Sequence, residues 1–134
     1  MTEKNKAINM MQELEKGKDC LKSADLLAVN GQLADAVSRL YYYVYHYMRA
    51  LLLSKSLEPK THEGILRVLG MHFIKPQILP TTVAHAFARL MKYREEADYS
   101  PLYFVTEDDY SEFKKDAVFL STTIEAYLKD NGYI

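Results

Sequence analysis

The sequence predicts an all-α protein: an antiparallel, up-and-down four-helix bundle with one additional short helix, formed as a single domain over residues 1–134. Three observations predict it. Apolar residues recur at helical spacing along nearly the whole chain. Alternating apolar and polar runs, the mark of half-buried strands, are nearly absent. Only five glycines and four prolines punctuate 134 residues, and three prolines fall between positions 59 and 80, so long stretches are free to be helical.

Each element has its own signals. In the first segment Ala7, Met11, Leu14, Leu21, Ala24 and Ala28 fall near one stripe, and Asn30-Gly31 then stops the helix. The second segment runs from about Gln32 to Leu57 and ends before Pro59, because a residue preceding proline is pushed out of helical conformation. A short third helix is expected over Thr61 to Phe73, with Thr61 as its cap. IKPQILPT holds two prolines and reads as a loop. Thr81 or Thr82 is placed to cap a fourth helix in which Val83, Phe87, Leu90 and Arg94 share a face. SPLYFV is a second loop. Thr106 with Asp109 three positions on forms a capping-box pattern. Tyr110, Phe113, Ala117, Leu120, Ile124 and Tyr127 then mark the last amphipathic helix.

Composition narrows the function. A 49% hydrophobic chain of this length can bury a core. Its formal charge of −1 does not advertise nucleic-acid or membrane-surface binding in bulk. The one cysteine, Cys20, excludes an internal disulfide and a thiolate cage for zinc. No apolar run approaches the ~18 residues of a membrane span, and the first residues lack the apolar core of a secretion signal. A cytoplasmic protein without a metal or other cofactor is expected. The four histidines are scattered, and neither a Glu-x-x-His pair, a phosphate-cradling glycine loop nor a nucleophile elbow is present.

The stretch SRLYYYVYHYMRALLL, residues 38–53, stands apart. At about 100° per residue, Leu33, Val37, Leu40, Tyr41, Val44, Met48, Leu51 and Leu52 gather on one side. The opposite side carries Arg39, Tyr42, Tyr43, His46, Ala50 and Leu53, which is not the lysine–glutamate face of an ordinary surface helix. A homodimer burying Tyr42, Tyr43 and His46 near a two-fold axis is therefore expected, since tyrosines bury area while their hydroxyls reach a partner. Arg39 and His46 project within about 20° of each other and about 10 Å apart along the axis. An imidazole can take a proton and a guanidinium can hold a phosphate. The plainer reading is structural: His46 and the tyrosines as packing, and Arg39 paired with Asp35 four residues earlier.

Three stretches together resemble the HEPN-domain family. SRLYYYVYHYMRALLL is similar to the signature S-R-x-Y-Y-A-x-F-H-A-x-x-A-L-L. KTHEGILRVLGMHFIK resembles the K-x-H-x-G…F-x-K segment that follows it, and LMKYREEADY resembles L-x-x-x-R-x-x-A-D-Y. The match covers about residues 30–100. The resemblance implies a helical bundle that dimerises. It also implies a metal-independent ribonuclease, a toxin paired with a minimal nucleotidyltransferase antitoxin. The family's Arg-x(4–6)-His motif maps to Arg39 and His46. A non-catalytic module that binds a nucleotide or a partner protein through the tyrosine-rich dimer surface is the alternative. The sequence departs from the pattern at Tyr43 and Tyr45, and Met48 stands where the toxin branch has a tyrosine two positions after the histidine, with Tyr47 beside His46.

Other polar residues complete the candidate set. Lys60, His62 and Lys75 bracket the short helix and are placed either to contact phosphate or to cap helix ends in water. Arg94 sits on an apolar line with Asp98 one turn on; the two read as an ion pair, or as groups flanking the cleft beside His46. Tyr42, Tyr43 and Tyr47 complete the cleft-lining set for RNA or nucleotide.

Overall fold

The computed structural model of the chain describes residues 2–134, and among them helices account for all regular structure. Five α-helices follow in order: α1 (Glu3–Val29), α2 (Leu33–Leu53), α3 (His62–Leu69), α4 (Thr81–Tyr99) and α5 (Glu107–Asp130); a π-helical turn, Gly70–Ile74, extends α3. No helix is long and apolar enough to cross a membrane.

Side-chain pairings fix the directions. Arg89 meets Asp116 while Tyr93 packs on Phe113, so α4 and α5 are antiparallel. Lys6 reaches the Ser54 carbonyl while Glu13 meets Arg49, so α1 and α2 are antiparallel too. Tyr43 and Tyr47 bond Ser121 and Glu125 in ascending order, so α2 runs parallel to α5. This is the expected up-and-down bundle, with α2 packed against α1, α4 and α5 and with α3 lying beside α2 and α4.

Local chemistry sets most boundaries. Thr2, Thr61 and Thr106 accept from the backbone N–H three residues on, and Thr106–Asp109 makes a full capping box. After α1, Gly31 takes a φ of +77° and its N–H and that of Gln32 close on Ala28 and Leu27, a Schellman stop.

The structure moves three expectations. The second helix ends at Leu53, four residues before the expected Leu57, because Ser56 turns left-handed at φ 59° and closes the same kind of stop with Leu57; Pro59 only limits how far a helix can run. Thr81 and Thr82 do not cap α4: Pro80 occupies the cap position with extended backbone and no side-chain bond. On α1 the buried line is Met10, Leu14, Gly17, Cys20 and Ala24, and Met11 is 44% exposed. The line takes Met10 in place of Met11, and small residues fill its later part because α1 comes very close to α2. A Cβ on Gly17 would lie 2.7 Å from the Tyr47 ring and 3.0 Å from the Tyr43 carbonyl oxygen. On α4 the expected line Val83, Phe87, Leu90 and Arg94 is buried.

Candidate functional site

Three neighbouring helices cover α2 and leave it one exposed strip. Along that strip lie Asp35, Ser38, Arg39, Tyr42, Tyr45, His46 and Arg49, all exposed or half-buried. The five tyrosines therefore divide. Tyr41 is fully buried and its hydroxyl meets His62 Nδ1. Tyr43 and Tyr47 are buried against α5, donating to Ser121 and to Glu125 (2.7 Å). Tyr42 and Tyr45 stay on the strip, edge to face at 5.6 Å. The expected second face is corrected accordingly: Tyr43, Ala50 and Leu53 belong to the core of one chain, as does the cleft-lining candidate Tyr47, because α1 and α5 close over that side.

His46 and Arg39 do share the strip. His46 Nδ1 lies 2.8 Å from Glu13 Oε2, and Arg49 Nε donates to Glu13 Oε1 at 3.1 Å. Burial raises the Glu13 pKa, but the bonds from His46 and Arg49 outweigh it and hold the carboxyl below its ordinary value. Glu13 is thus an ionised acceptor. The proton of a neutral His46 must sit on Nδ1, which leaves the Nε2 lone pair free to accept. Arg39 makes no ion pair with Asp35; its guanidinium lies over the Tyr42 ring, 5.0 Å from the centroid, a contact that leaves its N–H groups for an anion.

A second polar cluster adjoins the strip. Tyr42, His62, Glu63, Arg94, Glu95 and Tyr99 line an open cleft of about 640 Å³ between α2, α3 and α4. Arg94 is 7% exposed and faces Asp98 at 3.7 Å, the within-helix pair that the spacing suggests. Its guanidinium rests on the Tyr41 ring at 5.3 Å. Burial and the nearby Arg94 charge lower the His62 pKa. Lys60 and Lys75 are exposed at opposite ends of α3 and its π turn and do not line this cleft.

Glu13 and Arg49 were not among the residues singled out by the sequence. Arg49 stands one turn beyond His46 inside the quoted tyrosine-rich stretch, which is a usable signal. Glu13 gives none, because its place opposite His46 depends on the register of α1 against α2.

An up-and-down bundle whose central helix exposes an arginine and a histidine seven positions apart, beside a run of tyrosines, defines a helical module built around one polar strip. The HEPN-domain family model matches residues 10–127, and the chain belongs to the HEPN family. A UPF0332 protein of Thermotoga maritima is 29% identical over 130 residues, 97% of each chain. Putative toxin MJ0142 of Methanocaldococcus jannaschii is 31% identical over 121 residues, 88% of this chain and 81% of the relative. Putative toxin MJ0605 of the same organism is 32% identical over 87 residues, 65% of each.

Proposed function

We propose that this HEPN protein is a toxin that acts as a metal-independent endoribonuclease, working as a homodimer with Arg39 and His46 as its catalytic pair. The observation that carries this reading is the Glu13–His46 bond, which sets the imidazole to accept a proton at Nε2 on the same exposed strip as Arg39. His46 takes the proton of an RNA 2′-hydroxyl, and the 2′-oxygen attacks the adjacent phosphorus. Arg39 neutralises charge growing on the non-bridging oxygens. The bond to the 5′-oxygen breaks, that oxygen takes up a proton, and the products are a 2′,3′-cyclic phosphate and a 5′-hydroxyl. The names of the two Methanocaldococcus relatives support the toxin role. The family resemblance supplies the partner, a minimal nucleotidyltransferase antitoxin. Tyr42 and Tyr45, half-buried on the strip, supply a surface for the second copy.

The same two half-buried tyrosines favour a second reading, a non-catalytic module that binds a nucleotide or partner protein there. One experiment separates the two. Purified protein is incubated with RNA in excess EDTA, and its mass is followed by light scattering. The ribonuclease reading expects a dimer that cleaves the RNA at an undiminished rate in chelator. A dimer that leaves RNA intact at micromolar concentration selects the binding module.

A further inference from the structure

The cleft beside the strip contains a charge that the protein leaves unfinished. Arg94 Nε is buried with no hydrogen-bond partner. The carboxylate nearest the guanidinium, Asp98, stands at 3.7 Å, beyond hydrogen-bond reach. Buried arginine donors are ordinarily satisfied; Nε itself is sealed from the cleft, so an acceptor from outside meets the terminal N–H groups of the same guanidinium, since Arg94 lines the cleft.

His62 is a second fixed donor. Burial keeps the Tyr41 phenol protonated, well above its ordinary range. The Tyr41 hydroxyl meets His62 Nδ1; with the phenol as donor in that bond, the neutral imidazole carries its proton on Nε2. Two donor groups thus belong to the cleft. Two carboxylates, Glu63 and Glu95, also line it and are exposed. They act against a phosphate group and offer acceptors instead. Tyr42 from α2 and Tyr99 from the end of α4 add aromatic faces. The volume, about 640 Å³, falls within the roughly 300–1,000 Å³ of small-molecule sites.

The ligand that answers this set is flat, uncharged at the ring, and has one edge of adjacent acceptors and another of adjacent donors. Guanine has both: O6 and N7 on one edge, N1–H and the 2-amino group on the other. Adenine places a donor beside its N7, and pyrimidines lack the paired edges.

We propose that the cleft between α2, α3 and α4 is a guanine-binding site. Arg94 and His62 donate to the O6/N7 edge, Glu63 or Glu95 accepts from N1–H and the 2-amino group, and the ring stacks on Tyr42 or Tyr99. Tyr42 joins this cleft to the strip, since Arg39 lies over its ring. A guanine seated there places its neighbouring phosphodiester towards Arg39 and His46. That last role rests on the ribonuclease reading; binding of the base does not.

The test is a nuclear magnetic resonance titration with 5′-GMP, IMP, 7-deaza-GMP, AMP, CMP and inorganic phosphate, following the histidine and tyrosine ring signals. GMP is expected to shift His62 and Tyr99. AMP and CMP bind at least tenfold more weakly. IMP, without the 2-amino group, and 7-deaza-GMP, without N7, each lose about tenfold, close to 1.4 kcal/mol. Glu63→Gln combined with Glu95→Gln, both exposed and safe for the fold, reproduces the IMP loss. Equal binding of AMP, displacement of GMP by inorganic phosphate, no GMP binding at millimolar concentration, or shifts centred on His46 would each overturn the site. Guanine binding without RNA cleavage removes only the ribonuclease reading. Cleavage without guanine binding removes only this one.

Discussion

If the protein is the ribonuclease proposed above, RNA cleavage should fall at least a hundredfold in Arg39→Ala and in His46→Ala, and the double variant should be no slower than either single one. Proton transfer by a positioned side chain is worth about 10²–10⁴ in rate, and groups that act as a unit do not add. Folding stability changes far less. Arg39 is half-buried and makes no ion pair among the described residues, so its loss costs within about 0.5 kcal/mol. His46→Ala leaves Glu13 still bonded to Arg49. Its cost should stay near 1 kcal/mol, the worth of one hydrogen bond, and a thermal melt checks it. Glu13→Gln is the finer probe. It keeps the shape but no longer fixes the proton on Nδ1, so the rate should drop about tenfold or more and its pH profile should shift. The Glu13 pKa lies below its ordinary 4.5. The stability it contributes is present above that value and is lost as pH falls through the lower, folded one. Acid therefore loosens the α1–α2 contact and frees His46 together.

Tyr43→Glu should unfold the protein rather than separate two copies of it. Tyr43 is 5% exposed, packs edge to face on Tyr47 at 5.1 Å and donates to Ser121. Replacing it removes an aromatic ring from the core, about 3–5 kcal/mol, and adds a carboxylate with no cation placed to meet it. The sum matches most of the stability of a domain this size. Far-ultraviolet circular dichroism at 25 °C should show largely lost helix. Tyr42→Glu, on the exposed strip, should keep its helical signal and melt within a few degrees of the unaltered chain. A Tyr43→Glu protein that stays folded would return Tyr43 to the surface and undo the division of the tyrosines described here.

That division shows where a sequence stops being readable. The helices announce themselves through spacing and punctuation: Asn30-Gly31, the Thr106–Asp109 box and the Val83–Arg94 line all stand as read. Helical angle also places Arg39 and His46 together, because seven residues nearly complete two turns. What angle does not give is how wide an arc the neighbours cover. Tyr43 lies within that same wheel sector and Tyr47 at its edge, yet α1 and α5 close over them and leave Tyr42, Tyr45 and Arg49 in the open. The close approach of α1 rests on Gly17, Cys20 and Ala24, residues that carry little weight in an apolar pattern. Glu13 is hidden for the same long-range reason, since its partner is 33 positions away. Ser56 enters the left-handed region despite its side chain, a cost of about 1–2 kcal/mol that the surrounding turn bonds offset, and no local signal marks it.

The most direct measurement follows one synthetic RNA, cut by the unaltered protein in EDTA, against the same RNA with a single 2′-deoxy residue at the cleaved position. If His46 activates the 2′-hydroxyl, the deoxy position is fully protected and the cut RNA ends in a 2′,3′-cyclic phosphate. Cleavage at the deoxy position, or products ending in a free 3′-hydroxyl and a 5′-phosphate, would contradict it.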